Sequence, residues 1–215
     1  MTIAEVRKLL VDKLEDKLKA DSFVWKKGNQ FFSRTDDTRT QIIDLLFTKK
    51  GTTIQIEPTL RVKIKEIEDY YKPYFTRDIE YFESVKTIGN SLFKIKKYYD
   101  QGLTTDPDEN SYYLIENLND IAPTATGLLN LISDYGYRYF NHTAEVEMID
   151  KLLNSNPREI SIHYSLYPMR AIIGTIAAFK AKNPNLTALI DTYREELVDV
   201  EIQYKSEFNN IIREM

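Results

Sequence analysis

From Thr53 to Lys65 the chain alternates with period two. Ile54, Ile56, Pro58, Leu60, Val62 and Ile64 take the even positions, and Thr53, Gln55, Glu57, Thr59, Arg61, Lys63 and Lys65 the odd ones. Successive side chains of a strand point to opposite faces, so the pattern predicts a strand with one face on a core and the other in water. Half-covered strands of this kind belong to antiparallel sheets. The stretch is long for one strand, and Pro58 has no N–H to give to a ladder. A bulge, a bend or an edge is expected there.

The flanking segments fit such a sheet. Thr2-Ile3-Ala4-Glu5 is a capping-box pattern, and Ile3, Val6, Leu10, Leu14 and Leu18 continue it as an amphipathic helix to about Ala20. Ser22–Lys26, Gln30–Arg34 and Gln41–Thr48 read as strands, with turns at Lys27-Gly28-Asn29, Thr35–Thr38 and Lys49-Lys50-Gly51. The third carries Ile43, Leu45 and Phe47 on one face and Ile42, Asp44 and Leu46 on the other, as a central strand does. Ile67–Phe75 reads as an aromatic connection broken by Pro73, and Glu83–Thr87 as extended. Gly89-Asn90 reads as a turn into a strand over Leu92–Lys97, Gln101–Asn110 as a loop, and Tyr112–Ile115 as a return to the sheet.

From Ala122 the period becomes helical. Thr143 is placed to cap a helix burying Val146, Ile149, Leu152 and Leu153. Asn156-Pro157 and Asn183-Pro184 both read as a capping asparagine before a first-turn proline. Arg158–Leu166 fits strand and helix equally. Met169–Ala181 is apolar nearly all round, with Gly174, Ala177, Ala178 and Ala181 allowing close approach. The expected fold is α+β: an N-terminal helix, an antiparallel meander and a helical C-terminal half. It is expected as one domain over residues 1–215, sheet-bearing to about 118 and helical from about 119. From Pro184 an apolar stripe runs through Leu186, Leu189, Ile190, Tyr193, Leu197, Val200, Tyr204, Phe208 and Ile211. An unbroken helix of that extent would be about 45 Å long, against a diameter of ~34 Å for a compact chain of this size. Either it breaks, or it overhangs and offers its stripe to a partner, as in a homodimer through this helix.

The net charge of −4 argues against a general nucleic-acid binder. The absence of cysteine excludes disulfides, thiolate metal sites and a cysteine nucleophile. The opening MTIAEVRKLL is not a signal peptide, and the apolar run between Arg170 and Lys180 is far short of a membrane span. The expectation is a cytoplasmic protein without membrane association.

Chemical motifs are few. His142 lies three residues before Glu145, a spacing used by helical carboxylate metal sites, but the second ligand pair is missing and His142 reads as a surface residue. His163 reads as half-buried among aromatics. No phosphate loop or nucleophile elbow occurs, so no catalytic, metal or cofactor residue is assigned. Two surface candidates stand out. Among 15 tyrosines, Tyr135, Tyr137 and Tyr139 flank Arg138, and tyrosine and arginine are enriched at interface cores. In an up-and-down meander, Lys26, Lys27, Lys49 and Lys50 gather at one sheet end, either as a site for an anion or acidic partner or as solvated guards against edge pairing.

The run Phe23-Val24-Trp25-Lys26-Lys27-Gly28-Asn29-Gln30-Phe31-Phe32, the stretch Thr87–Leu92 and the helix end Tyr135–Phe140 resemble a bacterial domain-of-unknown-function family over roughly residues 1–155. The resemblance implies an N-terminal helix, a lysine-lysine-glycine turn and an antiparallel sheet. It brings no catalytic residues, and it implies an interaction or immunity-type role. The functional expectation is a non-enzymatic protein-binding module of the toxin-neutralising kind. The alternatives are a small-molecule binder or unrecognised enzyme with a pocket between sheet and helices, and nucleic-acid binding through the lysine end.

Overall fold

The computed structural model describes residues 1–77, 82, 85–102, 112–159, 161–163 and 167–215. It is an α+β fold. Helix α1 (Ile3–Ala20) leads into strands β1 (Val24–Lys26), β2 (Phe31–Thr35), β3 (Arg39–Lys50) and β4 (Thr53–Ile64), then α2 (Lys65–Tyr71) and a 3-10 turn (Lys72–Tyr74). Strand β5 (Ile88–Ser91), α3 (Leu92–Gln101) and β6 (Tyr113–Ile115) follow, then α4 (Ile121–Leu131), a π-helical turn (Ile132–Gly136) and α5 (Tyr137–His142). Helices α6 (Val146–Asn154), α7 (Tyr167–Lys180), α8 (Leu186–Glu196) and α9 (Ile202–Arg213) complete the chain. Among the described residues no helix is long and apolar enough to cross a membrane.

The sheet runs β1-β2-β3-β4-β5, with β6 also on β4. Along β4 every even position from Ile54 to Ile64 is buried and every odd one only half-buried, so the alternation holds over twelve residues without a bulge. Pro58 takes one of the buried even positions. The β6 ladder ends at Ile56, opposite Tyr113, and the Val62 carbonyl accepts from the Thr87 N–H at 2.9 Å.

The chain forms two compact units interleaved in sequence. The first comprises Met1–Asp36, Thr40–Arg61 and Asn90–Asn141; the second comprises Asp37–Arg39, Val62–Gly89 and His142–Met215. The helices over 121–141 therefore belong with the first unit, and position 118 lies inside it. In that unit α1 packs on α4 and β1. Its stripe of Val6, Leu10, Leu14 and Leu18 is buried, and Thr2 and Glu5 form the expected capping box. In the second unit α2, α6, α8 and α9 surround α7, which is buried from Met169 to Ala178. A Cβ on Gly174 would stand 2.7 Å from Asn154 Oδ1 and 2.8 Å from the Tyr193 hydroxyl, so glycine is required by close approach.

Several sequence expectations are corrected. Lys65 opens α2 instead of ending β4, and Leu92–Lys97 is helical. Leu92 and Ile95 are the buried residues there, a three-residue spacing that short apolar runs leave ambiguous with period two. The N-cap of α6 is Glu145, not Thr143, which is fully buried. Asn183 accepts from the Asn185 N–H at 2.9 Å, so its turn precedes α8 by two residues. No helix starts at Pro157, and the described part of 158–166 is turn; Glu83, Ser84, residues 103–111, Ile160 and residues 164–166 lie outside the described residues. The long C-terminal helix breaks at Leu197–Glu201, and both halves turn their stripe inward: Leu189, Tyr193, Leu197, Phe208 and Ile211 are buried.

Two helices stop on the same device. The Asn183 N–H reaches the Ala178 carbonyl at 2.9 Å and the Lys182 N–H the Phe179 carbonyl at 3.1 Å, with Lys182 at φ +54°. At the end of α1, the Phe23 N–H bonds the Leu18 carbonyl and the Ser22 N–H that of Lys19, with Ser22 at φ +69°. Both are Schellman stops without the usual glycine, and Ser22 is thus the end of the helix, not the start of β1. Likewise the left-handed residue of the first hairpin is Gln30 (φ +59°), not Gly28 or Asn29. Lys182→Gly relieves left-handed strain near the surface. It should raise stability by about 0.5–1 kcal/mol after the entropy of a freer unfolded chain is subtracted, read as a higher urea midpoint with unchanged slope.

Candidate functional site

The first unit presents a sheet face that carries exposed apolar groups. The register places Val24 opposite Ser33, Ser33 opposite Ile42, and Phe31 opposite Asp44, so these side chains share a face. Arg61 joins them by bonding Asp44 at 2.8 Å, and Leu114 joins them opposite Gln55. Arg61 also stacks over Phe31 at 5.2 Å, which holds its guanidinium flat against the sheet. Burial pushes the Asp44 carboxyl up, opposed by the charge of Arg61. Around this pair Val24 is 52% exposed and Leu46 and Leu114 are each 47% exposed, whereas Ser33 and Ile42 of the same face are buried. The opposite face, carrying Phe32, Ile43, Leu45, Ile54, Ile56 and Leu60, is buried.

The tyrosine-rich helix end divides between core and surface. Tyr139 is fully buried. The Tyr135 hydroxyl donates to Asp100 at 2.9 Å and the Tyr137 hydroxyl to Asp21. Burial, then the bond to Asp21, pushes the Tyr137 hydroxyl up. Arg138 is exposed but lies 4.0 Å over the Tyr99 ring, and burial pushes the Tyr99 hydroxyl up to about 12. Nearby, Arg34 stacks at 4.6 Å on Phe23 and donates to Gln41 at 2.6 Å. The π-helical turn before Tyr137 shifts the helix phase, so the ring pattern differs from that of a plain helix.

The four lysines are all exposed, but the register staggers them. Lys26 lies opposite Phe31 and so level with Asp44, whereas Lys49 and Lys50 stand five and six positions further along β3. That is about 17–20 Å at strand rise.

The second unit holds a cleft of about 630 Å³. Acidic Asp37, Glu66, Asp69, Glu145 and Glu147 line it together with basic Arg39, Lys65 and Lys180. Lys180 lies 3.7 Å from Glu66 and 4.8 Å from the Tyr70 ring. His142 is exposed at the edge of this unit. Among the described residues no group of three or more His, Asp or Glu is placed to hold a metal ion.

A buried carboxylate pins α9 in the same unit. Glu207 is fully buried. It accepts from the Tyr71 hydroxyl, from the Thr76 N–H and hydroxyl at 2.9 Å each, and from Arg77 at 3.3 Å. Arg77 is in turn packed between Phe75 and Tyr204, at 4.4 and 4.5 Å. Burial, then the bond to Glu207, raises the Tyr71 hydroxyl far above its ordinary value. Sequence reading passed over Glu207. The available signal was an acid one residue before Phe208 on an otherwise apolar stripe. Arg170, also buried, directs its guanidinium to carbonyls at and beyond the C-terminal end of α6, those of Leu153 (2.7 Å), Asn156 (2.9 Å) and Glu159. These clusters tie elements together.

No family model, no curated protein and no solved structure matches this chain.

Two outcomes follow from the buried groups. Glu207→Ala leaves Arg77 without its carboxylate partner and should cost about 3–5 kcal/mol, whereas Tyr71→Phe should cost about 1–2 kcal/mol because Glu207 keeps its other donors; urea unfolding separates the two. His163 is buried, and burial followed by the charge of Arg170 lowers its pKa from 6.5 to about 4. The unfolded chain then binds a proton more readily than the folded one. The stability from neutral His163 is complete above pH 6.5 and is lost as pH falls toward 4, a swing of about 3 kcal/mol. His163→Gln should flatten that acid limb of the unfolding free energy.

Proposed function

We propose that this chain is a non-enzymatic protein-binding module that seats its partner on the open sheet face of the first unit. The observation that supports this is the exposure of Val24, Leu46 and Leu114 on one face of a sheet whose other face is buried. Rigid strands display those side chains without further ordering cost, and the Arg61–Asp44 pair gives the apolar surface a polar centre. The family resemblance of the first 155 residues suggests the partner type: a toxin neutralised in a bacterial cytoplasm. The tyrosine-rich helix end contributes to the reading only through Arg138, Tyr135 and the exposed part of Tyr137.

A second reading rests on the cleft of the second unit. Its volume suits a small molecule, and its mixed charge suits a zwitterionic one. A dimer through the C-terminal helices loses its basis, since the stripe that would form it is turned inward. Nucleic-acid binding through the lysines is disfavoured by their spread along the sheet.

The test is affinity capture from the cells that encode the protein. Leu114→Asp combined with Val24→Asp should abolish the captured partner with little change in thermal stability. Lys13→Glu on the exposed side of α1 should leave it captured. Retention of the partner by the double variant would refute the sheet-face reading.

A further inference from the structure

The β2–β3 register leaves part of β3 without a strand partner on its β2 side among the described residues. β2 begins at Phe31, opposite Asp44, and β3 continues to Lys50. On one side the overhang of Leu45–Lys50 has its hairpin partner β4, joined through the turn at Gly51. On the other side, among the described residues, the turn Lys27–Gln30 lies at its start and no strand pairs with it. Leu46, Thr48, Lys49 and Lys50 are exposed, and Phe47 is half-buried under Arg7, whose guanidinium lies 4.9 Å from the ring. Among the described residues no side chain bonds the backbone of Leu46–Lys50, and no backbone bond outside the sheet ladder reaches it. Alternate N–H and C=O groups of this overhang therefore face an open lane about five residues long.

The lane is bounded by cations. Lys26 and Lys27 stand at the end where β2 turns away, and Lys49 and Lys50 at the other. Leu46, 47% exposed, lies between them. Lysines at an edge repel a second copy of the same edge, since like charges would meet at both ends. The same charges attract a strand of opposite sign.

The geometry points to β3 as a strand-addition site for an extended acidic segment of a partner protein. The segment extends the sheet beside Leu46–Lys50, takes its main-chain hydrogen bonds from the free edge of β3, and carries carboxylates at both ends of a short β-prone core. An apolar side chain on the open face packs against Leu46. Main-chain pairing supplies affinity and the two lysine pairs supply selection. This rests on the protein-binding reading and specifies where on the first unit the partner docks and what chemistry it brings.

The experiment uses the full chain and blocked synthetic peptides with a five-residue Val-Thr core flanked by Glu on both sides. Binding is followed by fluorescence polarisation and amide hydrogen exchange. Strand addition predicts that the peptide slows exchange within Leu45–Lys50. It also predicts at least tenfold weaker binding for peptides with Lys flanks, for peptides with a central Pro, and for the protein carrying Lys49→Glu and Lys50→Glu. The lysine variants sit on an exposed hairpin and are checked for an unchanged circular dichroism spectrum. Absence of binding at millimolar peptide overturns the proposal. So does binding that the central Pro leaves intact or that slows no exchange in Leu45–Lys50, since that is charge attraction alone. A cellular partner lost on Leu114→Asp with Val24→Asp but indifferent to Lys49→Glu with Lys50→Glu overturns strand addition and leaves the sheet-face reading standing.

Discussion

The alternation along β4 is the constraint on which the rest depends. Because the side-chain period of a strand is two, a slip of one residue would expose Ile54, Ile56, Leu60, Val62 and Ile64 together and bury Gln55, Glu57, Arg61 and Lys63. No compensating contact could offset that exchange, so the register is tightly held. The strand supplies Thr53–Arg61 to one unit and Val62–Ile64 to the other, and each inherits its inward face from the same pattern. Even Pro58 obeys it: the ring is buried on the apolar face.

With the register held, the interest of the first unit lies in what the strands leave uncovered. Strand lengths are unequal: β1 and β6 have three residues, β2 has five, and β3 and β4 have twelve each. Short neighbours on long central strands leave free edge, and the face around Val24, Leu46 and Leu114 is only partly covered. Natural sheet proteins usually blunt such surfaces with charge, and here Arg61, Asp44 and the lysines supply it. The same surfaces are the ones a partner would use.

The second unit follows a different rule, in which several charged and amide side chains are buried and hydrogen-bonded. Glu207 draws α9, Tyr71, Thr76 and Arg77 together, Arg170 closes the end of α6, and Asn154 bonds the Tyr193 hydroxyl at 2.6 Å and the Gly174 carbonyl at 2.8 Å. Each is committed to partners, because an unpaired polar atom at this depth would cost more than the network contributes. Such groups specify one packing of helices that apolar contacts alone would leave interchangeable.

What the sequence alone determined is whatever depends on local periodicity and local chain chemistry. It determined the α+β class, the capping box of α1, the alternating strand, the central character of β3, the glycine turn at Gly51 and the burial of α7. Where two periods fit a short run, as at Leu92–Lys97, local pattern was insufficient and long-range packing chose the helix. Helix stops at Ser22 and Lys182 were hidden because neither residue is glycine, and the left-handed strain is carried by the surrounding contacts. The tertiary structure alone decided that the C-terminal stripe folds back instead of overhanging, that the lysine pairs are staggered along β3, and that Tyr139 is core while Leu46 and Leu114 are surface. These depend on which strand ends where and on which residues meet across more than a hundred positions of chain, as Tyr71 meets Glu207. A side chain's exposure is a property of its neighbours in space, and spacing along the chain does not encode it.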